Sequence, residues 1–127
     1  MLDWFGKYLS AFAACGRGES DDLDALLAFY GVPLVLTTDA AALVLATKDE
    51  VLSTIRQQID SMRAADYHRS DTLSSELKPL NATTALHTAE FSRRRRDGTE
   101  IGRLRATYLI TAGADGHRIS ALVVRTR

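Results

Sequence analysis

The stretch Arg93-Arg94-Arg95-Arg96-Asp97-Gly98-Thr99-Glu100 decides the fold, because it places an Asp-Gly pair between two long segments of alternating polarity. Asp-Gly supplies the positive φ angles that a two-residue type I′ hairpin turn requires. A turn of that kind sets His87 opposite Tyr108 on the next strand. A second pair, Asp115-Gly116, predicts another such turn and sets Tyr108 opposite Val123. The end of the chain is therefore predicted to be a three-stranded meander.

This register assigns every side chain of the meander to one of two sheet faces. The predicted inner face carries His87, Tyr108 and mostly apolar residues, namely Ala85, Ala89, Phe91, Leu104, Ala106, Ile110, Ile119, Ala121 and Val123. The outer face is more apolar than contact with solvent favours, so we expect it to meet a partner subunit. Its predicted contact residues are Leu86, Arg105, Thr107, Leu109, Leu122 and Val124.

Helices and short strands are predicted before the meander. Apolar residues recur at helical spacing through Leu2, Phe5, Leu9 and Phe12, which predicts a helix ending near Cys15. A second helix is predicted to be capped by Ser20, and two short strands follow. Thr47-Lys48-Asp49-Glu50 has the form of a capping box at the start of the clearest helix. Helices followed by a curved antiparallel sheet indicate an α+β domain.

Composition limits the classes of function. With 127 residues, of which 46% are hydrophobic, the chain fits one domain spanning residues 1–127. Lys plus Arg and Asp plus Glu number 16 each, so no net charge attracts nucleic acid or anionic lipid. Cys15 is the only cysteine, and the start of the chain does not have the pattern of a signal peptide or membrane anchor. We therefore expect a cytoplasmic protein that binds neither nucleic acid nor membranes.

Two clusters that could suggest a site have simpler interpretations. The three histidines are not spaced as metal ligands, so no metal site is predicted. The run from Arg93 to Arg96 invites a phosphate or nucleic-acid interpretation, but alternation divides it between two sheet faces. The sequence favours a solvated hairpin tip with charge pairs across the strands.

The order of elements resembles the nuclear-transport-factor-2-like (NTF2-like) superfamily. That superfamily includes the SnoaL-like polyketide cyclases, ketosteroid isomerase and scytalone dehydratase. The resemblance spans nearly the whole chain and includes Ser20-Asp21-Asp22-Leu23, the capping box and the two Asp-Gly pairs. It implies a cone-shaped, cystatin-like α+β barrel in which a curved antiparallel sheet wraps around the N-terminal and central helices. It further implies a pocket between the concave sheet and the helices, and a homodimer built on the convex face.

The resemblance also implies candidate catalytic residues. Ketosteroid isomerase uses a carboxylate base and two hydrogen-bond donors to hold a developing enolate oxygen. Counting along this chain places Thr38 or Asp39 near the base position and Tyr8 and Tyr108 at the donor positions. The register adds His87 as a second candidate base, because a buried imidazole has a lowered pKa. The alternative interpretations are that Asp39 is a turn residue and that His87 only satisfies a hydrogen bond in the core.

Fold does not determine function in this superfamily. The leading hypothesis is a homodimer that binds a small hydrophobic molecule without a cofactor, in a pocket lined by Phe91, Leu104, Ala106, Ile110 and Val123. The alternatives are a cofactor-independent isomerase or lyase and a non-catalytic dimerisation or adaptor module. Whether the protein is an enzyme is left open by the sequence.

Overall fold

A computed structural model describes the backbone of residues 2–126 and the side chains of residues 3–126, so the side chain of Leu2 lies outside the described part. The elements in chain order are α1 (Leu2–Gly16), α2 (Leu23–Leu27), β1 (Tyr30–Thr37), β2 (Ala42–Leu45), α3 (Lys48–Ala64), β3 (Tyr67–Asn81), β4 (Thr84–Arg95), β5 (Glu100–Gly113) and β6 (Gly116–Thr126). The strands form one curved sheet in the order β2-β1-β6-β5-β4-β3. The sheet is antiparallel except between β1 and β6, which run parallel. The predicted α+β class with a curved sheet and helices is confirmed.

The core lies between the helices and the inner face of the sheet. Side chains from all these layers are almost fully buried, including Leu26, Leu34, Ile59, Ile110 and Ile119. Helix α3 begins at the predicted cap, where the Thr47 hydroxyl oxygen accepts a hydrogen bond from the Glu50 backbone N–H at 3.2 Å. Helix α2 is capped by Asp22 rather than by Ser20, because the Asp22 carboxylate accepts the Ala25 N–H at 3.1 Å.

The first hairpin has the predicted long-range register but a different turn. His87 pairs with Tyr108, as expected. At the tip, the Arg95 and Thr99 positions face each other, and the positive φ falls on Gly98 alone at 87°. This is a three-residue loop with a left-handed glycine, which moves the pairing by one residue. A bulge at Ile101 in β5 moves the pairing back, so the two shifts cancel.

The second hairpin corrects the prediction for β6. Gly113 pairs with Gly116, so the two-residue loop is Ala114-Asp115, and the positive φ falls on Gly116. An extra residue at Ser120 then shifts the remainder of β6 by one position. Tyr108 therefore faces Leu122, and the predicted pairing with Val123 is wrong.

The bulge exchanges the faces of the last residues of β6. Leu122 is buried and Val124 packs against the core, so their assignment to the outer face is wrong. Val123, predicted to line a pocket, lies on the outer face with half of its surface exposed. Ala121, also predicted on the inner face, lies on the outer face opposite Leu109. A shift of one residue moves every later side chain to the opposite face, which explains all four errors.

Strand β3 forms one edge of the sheet. It continues through Pro79 and ends at Asn81. Proline has no backbone N–H to donate to a neighbouring strand. It is tolerated on an edge strand because one side of that strand has no partner to accept such a bond. Three register shifts against β4 bend this strand.

Among the described residues, no helix is long and apolar enough to cross a membrane.

Candidate functional site

A cavity of about 90 Å³ lies between helix α1 and the inner face of β3 to β6. We call it the α1 cavity. About 10–15 Å³ is sufficient for one water molecule, so the α1 cavity has room for a small organic molecule. Its apolar lining comes from α1 and three strands, namely Leu9, Phe12, Ala13, Phe91, Leu104, Ala106, Leu122 and Val124. Its polar lining consists of Tyr8, Gln58, Tyr67, Ser70, Thr72, Arg93 and Tyr108.

Amphipathic packing of α1 forms the roof of this cavity. Tyr8, Leu9, Phe12 and Ala13 follow one another at helical spacing, so their side chains share the face directed at the sheet. Alternation along β4 and β5 forms the floor, because every second residue of a strand points to the same side. Ser70 and Thr72 on the edge strand β3 are exposed, and they mark the side on which the cavity meets solvent.

Three tyrosines meet beside the α1 cavity, and two of them, Tyr8 and Tyr108, line it. The Tyr8 and Tyr30 hydroxyl oxygens are 2.7 Å apart, and the Tyr8 and Tyr108 rings meet edge to face with centroids 5.9 Å apart. Burial raises the pKa of all three phenols above their ordinary value. At neutral pH they are therefore uncharged groups that can donate or accept hydrogen bonds. Both predicted donors, Tyr8 and Tyr108, line the cavity.

Arg93 supplies the charge in this lining. Its guanidinium carbon lies 6.0 Å from the centre of the Phe12 ring, close enough for a cation–π contact. Burial lowers the pKa of Arg93, while the neighbouring tyrosines act in the opposite direction. An arginine side chain stays protonated at neutral pH even so. The α1 cavity thus combines apolar walls, neutral hydroxyls and one cation.

His87 lies beside the α1 cavity rather than in its lining. The imidazole is buried and stacks on Phe5, with ring centroids 4.0 Å apart, whereas its ring is 6.4 Å from that of Tyr108. Its Nδ1 has no hydrogen-bond partner, so the interpretation of His87 as a satisfied core residue is wrong for this atom. Burial lowers the pKa of His87. A shallow groove between α1 and β3 reaches it past Gly6 and Thr72.

Asp39 does not join the other candidate residues. It is exposed between β1 and β2, and its carboxylate accepts hydrogen bonds from the Thr126 backbone N–H at 3.1 Å and from the Thr126 hydroxyl at 3.3 Å. These contacts tie the end of β6 to the loop after β1. The placement of Asp39 as a base at the pocket is therefore wrong, and the interpretation as a structural turn residue fits the contacts.

The predicted pocket residues divide into three groups. Phe91, Leu104 and Ala106 line the α1 cavity, and their contact with a ligand stays a prediction. Ile110 is completely buried in the core and is not part of that lining. Val123 lies on the opposite face of the sheet, because the bulge at Ser120 reverses the faces of the later residues of β6.

Sequence reasoning missed Arg93, Tyr67, Leu122 and Val124 as lining residues. A signal for Arg93 was present, because it stands two residues after Phe91 and so shares its face. No signal for Leu122 was present, because nothing in Ile119-Ser120-Ala121 predicts the bulge that turns Leu122 to the inner face. Among the described residues, no three His, Cys, Asp or Glu side chains cluster in a way that could hold a metal ion.

Comparison with known proteins identifies the family and the fold. The family described as NTF2-like protein (DUF6841) matches residues 1–127, and no curated protein matches the chain. A protein of unknown function with a cystatin-like fold from Nostoc punctiforme superposes with a TM-score of 0.73 at 11% identity, covering 97% of this chain and 88% of that one. An NTF-2 like protein of unknown function from Shewanella oneidensis has a TM-score of 0.69 at 20% identity, with 98% of each chain covered. A ketosteroid isomerase-like protein from Erwinia carotovora has a TM-score of 0.67 at 17% identity, covering 94% of this chain and 87% of that one.

Proposed function

The chain belongs to the NTF2-like protein family DUF6841, and we propose that it binds a small, largely apolar molecule in the α1 cavity without converting it. The observation that carries this proposal is the cavity itself, which opens beside exposed Ser70 and Thr72 and is walled mainly by apolar side chains. Binding sites for small molecules commonly combine such walls with a few polar groups that orient the ligand. Here the polar groups are the Tyr8 and Tyr108 hydroxyls and the Arg93 guanidinium.

Binding without turnover fits this lining better than base-catalysed isomerisation. An isomerase of the ketosteroid type needs a base within hydrogen-bond reach of the proton that it removes. Among the described residues that line the α1 cavity, none is an Asp, Glu or His. Asp39 is bound to Thr126, and His87 faces Phe5 outside the lining. The likeness to a ketosteroid isomerase-like protein, at 17% identity, concerns the fold alone.

We further propose that the protein acts as a homodimer through the outer face of the sheet. With the corrected register, this face carries Leu86, Thr107, Leu109, Ala121 and Val123, and Val35 of β1 extends it beside Ala121. Glu90 and Arg105 flank it, with an Nη1 to Oε1 distance of 3.5 Å. In a two-fold dimer the same face of each subunit meets its copy, so that face must be self-complementary. An apolar strip can pack against its own copy, and the flanking Glu90 and Arg105 supply charges of both signs that can pair across the interface.

A variant that fills the cavity tests the binding function. Ala13→Phe places a ring in the α1 cavity from the roof, and we expect it to abolish the increase in melting temperature that ligands give the wild type. Ser10→Phe is the matched control, because it puts the same ring on the exposed side of the same helix. The measurement is thermal unfolding with a panel of small aromatic and aliphatic compounds, together with mass spectrometry of molecules extracted from the purified protein.

Two results would contradict the binding function. One is the absence of any shift in melting temperature across the whole panel, with nothing extracted from the protein. The other is equal binding by the wild type and by Ala13→Phe, which would place the ligand elsewhere. Overpacking of this kind typically costs about 1–3 kcal/mol of stability, so both variants are first checked for folding by circular dichroism.

A further inference from the structure

We infer that Arg93 binds a carboxylate group on the molecule held in the α1 cavity, an inference that rests on the proposed binding function. Arg93 lies on β4 directly opposite Ser70 of the edge strand β3. Its strand therefore pairs with the exposed edge of the sheet, and its side chain shares the cavity lining with Tyr8 and Tyr108. The Phe12 ring supports the guanidinium from α1.

Arg93 lacks the acidic partner that its neighbours have. Arg94 forms ion pairs with Asp71 and Glu100, and Arg96 forms one with Asp66. Among residues 3–126, no carboxylate oxygen lies within 4.0 Å of the Arg93 guanidinium nitrogens. Burial lowers the pKa of Arg93, so its charged form loses hydration that the Phe12 ring and the neighbouring tyrosines offset only in part. A ligand that brings a negative charge removes this cost.

The charge balance indicates a carboxylate rather than a phosphate. Arg93 is the one formally charged side chain among the described residues of the lining, so the site compensates a single negative charge. A carboxylate carries one charge, and its two oxygens match the parallel N–H groups of a guanidinium. A phosphate ester carries up to two charges and is usually held by several cationic or backbone donors.

The remaining lining indicates what the carboxylate is attached to. The apolar walls, among them Phe91, Leu104 and Ala106, offer no hydrogen bonds from their side chains and make up the larger part of the lining surface. Further polar groups come from Gln58, Tyr67, Ser70 and Thr72. The neutral Tyr8 and Tyr108 hydroxyls share this lining and can bind one polar atom of the ligand. The ligand class is therefore a small monocarboxylic acid with an apolar body, such as an aromatic or short-chain aliphatic acid.

Matched acids and amides test this assignment. Benzoate and hexanoate are compared with benzamide and hexanamide, which keep the shape and lose the charge, and affinities are measured by isothermal titration calorimetry. We expect Arg93→Met to weaken binding of both acids by roughly tenfold or more and to leave the amides unchanged. Arg125→Met is the matched control, because it removes the same charge from an exposed position on the outer face. It should leave all four affinities unchanged.

The other outcomes separate the two proposals. If Arg93→Met binds the acids as well as the wild type does, while Ala13→Phe abolishes binding, the role of Arg93 is refuted and the binding function stands. If no probe binds the wild type, both are refuted. If inorganic phosphate displaces benzoate at equal concentration, the site selects anions in general, and the carboxylate assignment is refuted.

Discussion

Arg93 and His87 lie on the same face of β4, six residues apart, and differ in what surrounds them. Arg93 reaches the α1 cavity and keeps its charge beside hydroxyl groups. His87 is only 4% exposed and is covered by the Phe5 ring. An imidazole in such surroundings favours its neutral form, since burial penalises the charged one. The same face of one strand therefore carries a cation at one position and a neutral base six residues away.

The lowered pKa of His87 predicts how stability changes with pH. In the unfolded chain the imidazole takes up a proton near pH 6.5, whereas in the folded protein it stays neutral to a lower pH. Between these two values the unfolded state binds more protons, so the free energy of unfolding falls as the pH decreases and levels off below the folded pKa. We expect His87→Leu to remove this slope in urea denaturation curves measured from pH 7.5 to pH 5.

A second pH window provides an internal control. Hydrogen bonds and nearby arginines lower the pKa of Asp71, Asp97 and Glu100. These carboxylates contribute stability above their unfolded pKa values and lose it as the pH falls through the folded ones, below about pH 4.5. The wild type and His87→Leu should both lose stability there. An unchanged slope above pH 5 in the variant would show that His87 is not held neutral by the fold.

At the scale of single residues, the sequence could identify groups but not their partners. Alternation and helical spacing brought Tyr8 and Tyr108 to the cavity, because these patterns follow directly from backbone geometry. Asp39 failed as a base because its partner, Thr126, is 87 residues away in the sequence. The proposed role of Arg93 in binding depends on the absence of a carboxylate beside it. Only the folded chain shows that the nearby acids form ion pairs with Arg94 and Arg96 instead.

At the scale of elements, the first helix contains a matched pair of glycines. Gly6 has open space where a side chain would point, whereas a Cβ on Gly16 would lie 2.5 Å from the Met62 Cε and 3.0 Å from the Tyr67 ring. Glycine in a helix interior costs about 1 kcal/mol relative to alanine. We expect Gly6→Ala to raise the free energy of unfolding by up to about this amount.

Gly16→Ala should fail to give the same gain. The Met62 methyl group can move, but the Tyr67 ring is buried and held by a hydrogen bond between the Tyr67 and Ser70 hydroxyls at 2.8 Å. Its displacement would also disturb the lining of the α1 cavity, so probe binding should weaken in Gly16→Ala and not in Gly6→Ala. Equal stabilisation by both substitutions in chemical denaturation would show that α1 and Tyr67 are packed more loosely than the structure indicates.

The hairpins show how far turn chemistry predicts a sheet. Asp-Gly located both turns, yet neither is of type I′, because Gly98 and Gly116 have positive φ and Asp97 and Asp115 do not. The first error was cancelled by the bulge at Ile101. The second turn moved the pairing by two residues, which keeps the faces, and the bulge at Ser120 reduced the shift to one residue, which reverses them. Adjacent apolar residues at Val123 and Val124 fit either face, so alternation could not detect the change. A bulge is a response to packing from both sides of a sheet, and local sequence does not encode it.

At the scale of the whole molecule, the order of elements was sufficient to predict the fold. Two helices, two short strands, a third helix and a long meander leave few ways to cover one face of a curved sheet. The size of the cavity was not predictable in this way, because a few methyl groups decide whether a core closes. The composition of the outer face was not predictable either, because it depends on the register of β6.

The outer face of the sheet, with its register corrected, is the proposed dimer interface. Val123 stands near its centre, on β6 between Thr37 of β1 and Thr107 of β5, and half of its surface is exposed. Val123→Glu would force the proposed dimer to bury a carboxylate within the apolar strip, and the cost of removing that charge from water opposes association, so we expect a monomer that keeps the fold. Leu80→Glu is the control, because Leu80 is equally exposed but lies near the end of the edge strand β3. Molecular mass from light scattering during gel filtration distinguishes the two. A monomeric wild type, or a dimer that survives Val123→Glu, would remove the outer face as the interface.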